Sequence, residues 1–386
     1  MVRRMKRILT FVPNYFPGYM SGGIARTILN TTDWLGTEFK FLIVTRDRDL
    51  GSDTPYPDIR PGAWNPLGQS EVRYLPPEEL SVVRLAELVN STDHDILHLN
   101  SFFDPVFTIK LLMLVRLKKI APGPVLLSPR GEFVAGPLAL KYAKKKTYIE
   151  LSKLLGFYRR VTWHASSSHE ASGMISAMKL EPESIKVAID LPVRHVSRVP
   201  PPTDDGDGRL RIVFISRMTR EKNLDGALRM LRDVKSHVSF DIIGPAEDNR
   251  YWAECQALMN TLPPHVKATY LGSIPPDRVF DALSCYDLFL FPSHGENYAH
   301  VIAESISVGT RVLVSQFTPW RDLQSDGVGW DLDLACPQQF VEVIERLAAD
   351  SPAERQAARE RAANSALVRL SNPLALEENR SLFASL

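Results

Sequence analysis

The sequence predicts an α/β protein built from two doubly wound domains that face each other across a cleft. Short runs of apolar, often β-branched residues alternate with longer amphipathic stretches, and this alternation occurs on both sides of a proline-rich break. Continuous apolar runs are typical of parallel strands that are buried on both faces by helices, whereas strands with one face in water alternate apolar and polar residues.

The predicted strands lie at residues 7–12, 39–45, 95–99, 125–128 and 161–165 before the break, and at 211–216, 239–244, 269–272, 287–292 and 311–315 after it. The predicted helical stretches include residues 23–35, 106–120, 224–234 and 301–308, and the tail from Pro352 is helical with an interruption at Pro373. Because ligands of open parallel sheets bind at the carboxyl ends of the strands, functional residues are expected in the loops that follow these runs.

The domain boundary is predicted at Val199-Pro200-Pro201-Pro202 and the Asp- and Gly-rich residues up to Gly208. Such a segment cannot continue a helix or a central strand. We therefore predict an N-terminal domain at 1–198, a linker at 199–208, a C-terminal domain at 209–370, and a helix at 371–386 that is a candidate to pack back on the N-terminal domain.

The composition is that of a globular protein and argues against several classes. Of 386 residues, 44% are apolar and 24% are charged, and 46 basic residues against 45 acidic ones give a net charge of +1. This balance argues against nucleic acid as a partner. The three cysteines have no CxxC spacing, which argues against disulfides or a zinc site and favours a cytoplasmic location. No apolar run reaches the ~18 residues that a spanning helix needs, so no membrane span is expected.

Two glutamates follow the predicted strand that ends near Phe291. Glu296 lies in the segment Pro292-Ser293-His294-Gly295-Glu296-Asn297, and Glu304 lies about two turns into the helix that follows. A strand, a turn and a helix N-terminus form an anion site, and nearby carboxylates can accept hydrogen bonds from the hydroxyls of a polyol. The alternative is an ordinary pair of exposed glutamates on a surface helix.

A cationic segment, Ser216-Arg217-Met218-Thr219-Arg220-Glu221-Lys222-Asn223, directly follows another predicted strand. Arginine and lysine at the carboxyl end of a strand, just before a helix, suit the oxygens of a diphosphate. The alternative is a solvated charged turn. The presence of this segment and the glutamate pair in one domain favours the functional interpretation of both.

Arg217 and Lys222, together with residues 292–315, resemble the retaining glycosyltransferases of family 4, which have the GT-B fold of two Rossmann-like domains. Glu296 and Glu304 match the Glu-x7-Glu motif of that family. The resemblance implies that Arg217 and Lys222 hold the donor diphosphate and act in catalysis with Glu296. It also implies that Glu296 contacts the donor sugar and that Glu304 contacts the nucleotide ribose.

The resemblance implies further donor-site residues. Those that cap a phosphate or a sugar oxygen are Asn297, Tyr298, Ala299 and His300. In the N-terminal half, Gly22 and Gly23 follow the first predicted strand, as in the glycine-containing loop of the family, where small residues let the backbone approach a ligand. This loop is not G-x-G-x-x-G, so no nicotinamide cofactor is indicated. Its alternative is a plain turn before a helix.

Candidate contacts to the acceptor or to a phosphate also lie in the N-terminal half. Arg130, in Ser128-Pro129-Arg130-Gly131-Glu132, stands where many family members have a histidine. It could steady the departing phosphate or bind an acidic acceptor. His98 and Asn100 lie near the end of another predicted strand, and the alternative for His98 is a packed core histidine.

The resemblance implies retaining transfer of a sugar from a nucleotide-diphosphate sugar, with a UDP-sugar favoured and a GDP-sugar next. The expected acceptor is a glycan or a lipid-linked molecule of surface polysaccharide synthesis. Two alternatives stay open: a non-catalytic nucleotide-sugar-binding protein and a nucleotide-sugar epimerase. No cofactor or metal is expected, because Asp331-Leu332-Asp333 lies in a strand-like segment and the nucleotide sugar is a co-substrate.

One segment points to a membrane surface. Residues 141–160 contain seven basic residues and one acidic residue, interleaved with apolar side chains. A basic amphipathic helix of this kind can lie on an anionic bilayer, which here would be the inner face of the membrane. The alternative is a solvated basic helix that packs through its apolar face.

Overall fold

The structure is a computed structural model that describes residues 4–18, 20, 22–120, 123–133, 142–194 and 208–386. The chain divides into two compact units. One comprises Met1–Arg194 together with Pro373–Leu386, and the other comprises His195–Asn372. Of the predicted linker at 199–208, all but Gly208 lies outside the described residues. The two units are described separately below.

The first unit contains an eight-stranded sheet. Its strands are β1 (Lys6–Phe11), β2 (Phe39–Arg46), β3 (Trp64–Leu67), β4 (Ser70–Leu75), β5 (Ile96–Asn100), β6 (Val125–Ser128), β7 (Val161–Ala165) and β8 (Ile185–Val187). They are ordered β3-β4-β2-β1-β5-β6-β7-β8, and only the edge pair β3–β4 is antiparallel among these described strands. Every residue of β5 and β6 is buried, which explains why most of their residues are apolar.

The helices of this unit are α1 (Gly23–Leu35), α2 (Val82–Ser91), α3 (Lys110–Arg116), α4 (Tyr142–Leu155), α5 (Ser168–Met178) and, from the end of the chain, α12 (Pro373–Ala384). Helix α12 packs on the sheet through Phe383, whose ring lies 5.7 Å from that of Phe39 and 5.6 Å from that of Phe41. At its surface, Arg380 donates to both oxygens of Glu38. The C-terminal helix is therefore part of the core of the first unit.

The second unit contains a six-stranded parallel sheet. Its strands are β9 (Leu210–Ile215), β10 (Val238–Ile243), β11 (Val266–Gly272), β12 (Leu288–Phe291), β13 (Arg311–Ser315) and β14 (Gly329–Leu332), in the order β11-β10-β9-β12-β13-β14. Its helices are α6 (Leu224–Arg232), α7 (Asn249–Met259), α8 (Val279–Ser284), α9 (His300–Ser307), α10 (Pro337–Ala349) and α11 (Pro352–Leu370). The central strand β12 is buried along its whole length.

Helix α11 fixes the carboxyl end of α9. The buried side chain of Arg359, on α11, donates to the carbonyl oxygen of Val308 at 2.8 Å and to that of Tyr286 at 3.1 Å. The Val308 carbonyl lies at a helix end, where carbonyl groups lack a partner within the helix, and the Tyr286 carbonyl also accepts from the Thr310 hydroxyl at 3.2 Å. Arg359 thereby connects the end of α9 to the residue that precedes β12.

Each predicted strand is present within a few residues of its predicted bounds. The stretch 106–120 differs, because it begins with a π-helical turn at Pro105–Ile109, capped by the Asp104 side chain, and its helix α3 ends at Arg116. The edge hairpin β3–β4 was not predicted. Strand β3 contains Pro66 and none of its four residues is fully buried, so it lacks the apolar run that marks the buried strands.

Within the described residues, none of the helices combines the length and the apolar character needed to cross a bilayer.

Candidate functional site

The site of the second unit lies where β9, β12 and β13 end. These strands are neighbours and parallel, so their carboxyl ends meet at one edge of the sheet. The loops that follow are tied together by hydrogen bonds. The backbone N–H of His294 donates to the carbonyl of Glu221 at 2.7 Å, and the hydroxyl of Ser315 donates to the carbonyl of Ser293.

Lys222 and Glu296 are in direct contact at this edge. The Nζ of Lys222 lies 2.7 Å from Oε1 of Glu296, and the two side chains are only 13% and 10% exposed. The buried hydroxyl of Ser293 also donates to Oε1 of Glu296, at 2.7 Å. A lysine that is paired and largely desolvated has a fixed position, because moving its ammonium would leave a buried carboxylate without its partner.

Asn223 explains why Lys222 is held at this position. Lys222 ends a short 3₁₀ turn, and Asn223 follows in the left-handed conformation with φ of 60°, which asparagine tolerates better than most residues. The side chain of Asn223 accepts a hydrogen bond from the backbone of Gly226 and donates one to the carbonyl of Pro292 at 2.8 Å. Asn223 therefore starts α6 and joins the loop of Lys222 to the loop of Glu296.

Arg217 is held more loosely than Lys222. Its side chain is 43% exposed, and its closest carboxylate oxygen, on Glu247, lies 3.9 Å away. The backbones of the loops after β9 and β10 approach each other closely at Ser216 and Gly244. Gly244, with φ of 136°, permits this approach, because a Cβ at its position would lie 1.9 Å from the carbonyl oxygen of Ser216. Arg217 is thus a solvated cation on the loop after β9.

Helix α9 presents its N-terminus to this edge of the sheet. Its N-cap residue is Ala299, whose methyl side chain cannot accept a hydrogen bond, and its first turn contains no acidic residue. The backbone N–H groups and the dipole of a helix N-terminus favour an anion. His300 and Glu304 are both buried, and their spacing of four places them on one face of α9.

Trp320 orders the loop before α9. Its ring lies 5.4 Å from that of Tyr298, and its Nε1 donates to the Tyr298 carbonyl. The structure thus brings Lys222 and Glu296 into contact and places Asn297, Tyr298 and Ala299 in the adjoining loop. Sequence reasoning did not identify Ser293 and Asn223, although both are polar residues directly beside predicted site residues.

The Asp331-Leu332-Asp333 string makes local contacts. Asp331 accepts a hydrogen bond from the backbone of Leu323 at 3.1 Å, and Asp333 accepts one from the backbone of Ala335 at 2.9 Å. In the described part of the chain, no group of three or more His, Cys, Asp or Glu residues has an arrangement that could hold a metal ion.

In the first unit, Gly22 and Gly23 start helix α1 after the first strand. Gly22 is its N-cap with φ of 70°, a conformation that favours glycine. A Cβ at either glycine would meet no atom of the described residues within 4 Å, so the space beside this backbone is open. Tyr19 and Ser21 of the same loop lie outside the described residues.

Arg130 is engaged in a buried ion pair. Its side chain is 6% exposed, its Nη1 lies 3.0 Å from Oδ1 of Asp190, and its Nε donates to Oδ1 of Asn100 at 2.9 Å. Asp190 also accepts a hydrogen bond from the hydroxyl of Thr27. Burial raises the pKa of Asp190, and the charge of Arg130 opposes that shift. Arg130 and Asn100 therefore bind each other and the core of the sheet.

His98 belongs to a buried chain of hydrogen bonds across the sheet. His164 Nε2 lies 3.0 Å from the carbonyl of Ala188, which can only accept, so Nε2 carries a proton, and Nδ1 of the neutral ring accepts from the Ser128 hydroxyl at 2.8 Å. The Ser128 oxygen then accepts from His98 Nε2 at 3.0 Å, and Thr10 lies 3.5 Å from His98 Nδ1. This arrangement fits two neutral histidines, each of which has one donor and one acceptor nitrogen.

Burial lowers the pKa of both histidines, and the charge of Arg130 lowers them further. The pKa of His164 falls to about 3, and that of His98 falls well below 6.5. The unfolded chain takes up protons on both rings near pH 6.5. Below this pH the unfolded state binds more protons than the folded state does. The contribution of the two neutral histidines to the free energy of unfolding is therefore fully present above pH 6.5 and is lost as the pH falls toward their lowered pKa values.

We expect His164→Asn to reduce the pH dependence of the free energy of unfolding by about 1.4 kcal/mol per pH unit below pH 6, the contribution of one proton. Urea unfolding at several pH values between 4 and 8 measures this slope. His169→Asn is the matched control, because His169 is exposed on α5 and is hydrated in both states. If the free energy of unfolding has the same slope against pH in wild type and in His164→Asn, His164 is not a buried neutral histidine in the folded protein.

Glu132 was not identified from the sequence as a buried titratable group. It accepts hydrogen bonds from the Ser101 hydroxyl at 2.7 Å and from the backbone N–H groups of Phe102 and Phe103. Burial raises its pKa to about 7, against those hydrogen bonds. The contribution of protonated Glu132 to the free energy of unfolding is therefore fully present below pH 4.5 and is lost as the pH rises through 7. This pH dependence has the opposite sign to that of the histidines.

Residues 200–365 match the family model described as glycosyl transferases group 1. No curated protein sequence matches the chain. Among solved structures, HepE from Anabaena, in complex with UDP and glucose, is 15% identical with a TM-score of 0.68 over 99% of this chain and 100% of that chain. Sucrose-phosphate synthase from Thermosynechococcus elongatus is 16% identical with a TM-score of 0.69 over 99% of this chain and 100% of that chain. The lipopolysaccharide outer core galactosyltransferase WaaB is 16% identical with a TM-score of 0.60 over 99% and 100% of the two chains.

These likenesses show that the chain has the GT-B fold of two Rossmann-like α/β domains, which confirms the predicted fold class. The family match covers the part of the chain that contains Lys222, Glu296 and Glu304. It agrees with the resemblance at the level of group 1 glycosyltransferases. Membership of family 4 and the roles of the individual residues stay predictions.

Proposed function

We propose that this protein is a retaining glycosyltransferase of family 4 that moves a sugar from a nucleotide-diphosphate sugar to a glycan or lipid-linked acceptor. The main observation supporting it is the contact of Lys222 with Glu296 and Ser293 beside the N-terminus of α9. The group 1 family match supports the reaction class. HepE, which was solved with UDP-glucose, supports a UDP-sugar as the first choice of donor, with a GDP-sugar next.

The donor diphosphate is assigned to Lys222, Arg217 and the N-terminus of α9. An ammonium group has three hydrogens, and Lys222 uses one of them for Glu296, so the others can bind phosphate oxygens. Negative charge grows on the leaving diphosphate in the transition state, and fixed donors in a partly dry site stabilise it most effectively. Arg217, which is solvated in this structure, adds a second cation when the donor binds. We assign no step to a metal ion.

The donor sugar is assigned to Glu296. Among the described residues, the two hydrogen bonds to the Glu296 carboxylate both fall on Oε1, so Oε2 is the oxygen that we assign to a sugar hydroxyl. Glu304 is assigned to the ribose, and the backbone of residues 297–300 to a phosphate or sugar oxygen. Retention follows from delivery of the acceptor hydroxyl on the face from which the diphosphate leaves.

The acceptor side is assigned to the first unit. Because Arg130, His98 and Asn100 are buried and bound to each other or to the core, we assign them to shaping the edge of the sheet. Gly22 and Gly23 remain assigned to the donor, as the resemblance implies, and nothing among the described residues fills the space beside their backbone.

Thermal melting with UDP, GDP, ADP and NAD, each in large excess, tests this proposal. A ligand at 100 times its Kd adds about 2.7 kcal/mol, which raises the midpoint by several degrees. We expect UDP to give the largest shift. A shift with NAD alone would contradict the proposal.

Incubation with the matching nucleotide sugar, followed by NMR, separates the two alternatives. Donor binding without any turnover in the presence of glycan and lipid-linked acceptors would favour a non-catalytic nucleotide-sugar-binding protein. Release of a changed sugar without any acceptor would favour an epimerase. Release of the nucleoside diphosphate together with a new glycosidic bond of the same anomeric configuration is the result we expect.

A further inference from the structure

Helix α4 of the first unit has apolar residues both in the core and in solvent. Ile149 is in the core, and the Tyr148 hydroxyl is bonded to that of Tyr158 at 2.7 Å. Near the carboxyl end of the helix, Leu151, Leu154 and Leu155 are 50%, 82% and 45% exposed, and their spacing of three and four residues makes them neighbours on the helix surface. Among large apolar side chains of the described residues, Leu154 has the highest exposed fraction.

These leucines lie on an anchored helix and cannot turn inward. Tyr148 and Ile149 anchor the helix to the rest of the first unit, and Lys153 bonds to Glu150 on the same helix and to the carbonyl of Ala177 on α5. Three leucines clustered on a solvated helix end are therefore a fixed feature of the surface. Isolated exposed apolar residues are normal in soluble proteins, but a fixed cluster marks an interaction surface.

The same part of the surface is strongly basic. Residues 142–160 contain six basic residues and one acidic residue, although the whole chain has a net charge of only +1. Lys144, Arg159 and Arg160 are exposed. The Nε of Arg159 would lie 3.0 Å from a Cβ at Gly156, which places this side chain at the carboxyl end of α4.

We propose that the carboxyl end of α4 docks the protein on an anionic lipid bilayer. Leu151, Leu154 and Leu155 enter the boundary between headgroups and acyl chains, and Lys144, Arg159 and Arg160 bind headgroup phosphates. Apolar side chains flanked by cations match the two layers of such an interface. A nucleic acid would use the cations and leave the leucines in water. This inference does not depend on the donor-site assignment.

Flotation with vesicles of phosphatidylcholine alone, and of phosphatidylcholine with 40% phosphatidylglycerol, tests the proposal at low and high salt. We expect binding to the anionic vesicles only, weakened about tenfold or more by 0.5 M NaCl, because exposed charges are then screened. Binding to neither vesicle, or equal binding to both, would overturn the proposal.

Two variants locate the surface. Leu151→Gln/Leu154→Gln/Leu155→Gln and Arg159→Gln/Arg160→Gln should each weaken binding to anionic vesicles by about tenfold or more. The matched control is Leu367→Gln/Val368→Gln on α11, where the two side chains are 61% and 79% exposed. The control should bind as wild type does. Melting temperatures within a few degrees of wild type establish that all variants are folded, and unchanged binding by both α4 variants would overturn the proposal.

Discussion

Replacing Lys222 with alanine is expected to lower the rate of sugar transfer by about 10²- to 10³-fold, the usual effect of losing one group that stabilises transition-state charge. Lys222 is largely desolvated, and its ammonium is fixed by Glu296 at 2.7 Å. Water that replaces it cannot supply a fixed positive charge to the leaving diphosphate. The effect should therefore fall on kcat more than on the KM for the donor.

Arg220→Ala is the matched control for this prediction. Arg220 lies two residues earlier on the same 3₁₀ turn, but its side chain is 59% exposed and pairs with Glu254 on α7. It should retain a rate within about threefold of wild type, because a solvated surface pair contributes little. The measurement is initial-rate kinetics of nucleoside diphosphate release with the donor identified by melting. Wild-type turnover in Lys222→Ala, or an equal loss in Arg220→Ala, would refute the assignment of Lys222.

Lys222→Ala also leaves Glu296 as a buried carboxylate without its cation, so a loss of activity needs a second readout. Lys222→Arg restores the charge with a different shape, and we expect it to recover stability but only part of the rate, since a planar fork cannot reproduce the ammonium position. Full recovery of stability with a persistent loss of rate would separate the catalytic role of the ammonium from its structural one.

The buried strands could be predicted because their sequences are short runs of mainly apolar residues. Strands β5, β6 and β12 are buried on both faces, and burial of that kind leaves a pattern within four or five adjacent residues. The same reasoning placed Lys222 and Glu296 at the edge of the sheet, because both follow such strands. Their direct contact could not be predicted, since it depends on the turn at Asn223 and on the hydroxyl of Ser293.

Polar residues inside the first unit show where sequence reasoning fails. Arg130 follows a strand, as a site residue would, and nothing local indicates that its partner is Asp190, 60 residues later. In the sequence, Glu132 likewise resembles an exposed loop residue. In the structure, its carboxylate accepts hydrogen bonds from the backbone N–H groups of Phe102 and Phe103. Whether a charged side chain is buried depends on segments that are distant in the sequence. The residues next to Arg130 or Glu132 therefore do not indicate that these side chains lie inside the fold.

Replacing Arg130 with alanine is expected to lower the free energy of unfolding of the first unit by about 3–5 kcal/mol, because Asp190 then remains as a buried, uncompensated carboxylate. Asn100 loses a donor in the same variant. Arg84→Ala is the control, since the Arg84–Glu87 pair has a similar distance of 2.9 Å but is exposed on α2. It should cost less than about 1 kcal/mol. Urea unfolding measures both.

The neutral pair Arg130→Gln/Asp190→Asn distinguishes a structural role from contact with a substrate. It keeps polar groups that can bond to each other, to Asn100 and to Thr27 without a buried charge, so it should recover more than about 2 kcal/mol relative to the sum of the single substitutions. If Arg130 only shapes the edge of the sheet, the stable double variant should transfer sugar at a rate near that of wild type. If the guanidinium contacts the departing phosphate or an acidic acceptor, the double variant should be stable and still slow. The first result is expected, because a side chain that is 6% exposed and bound to two partners has little of its surface left for a substrate.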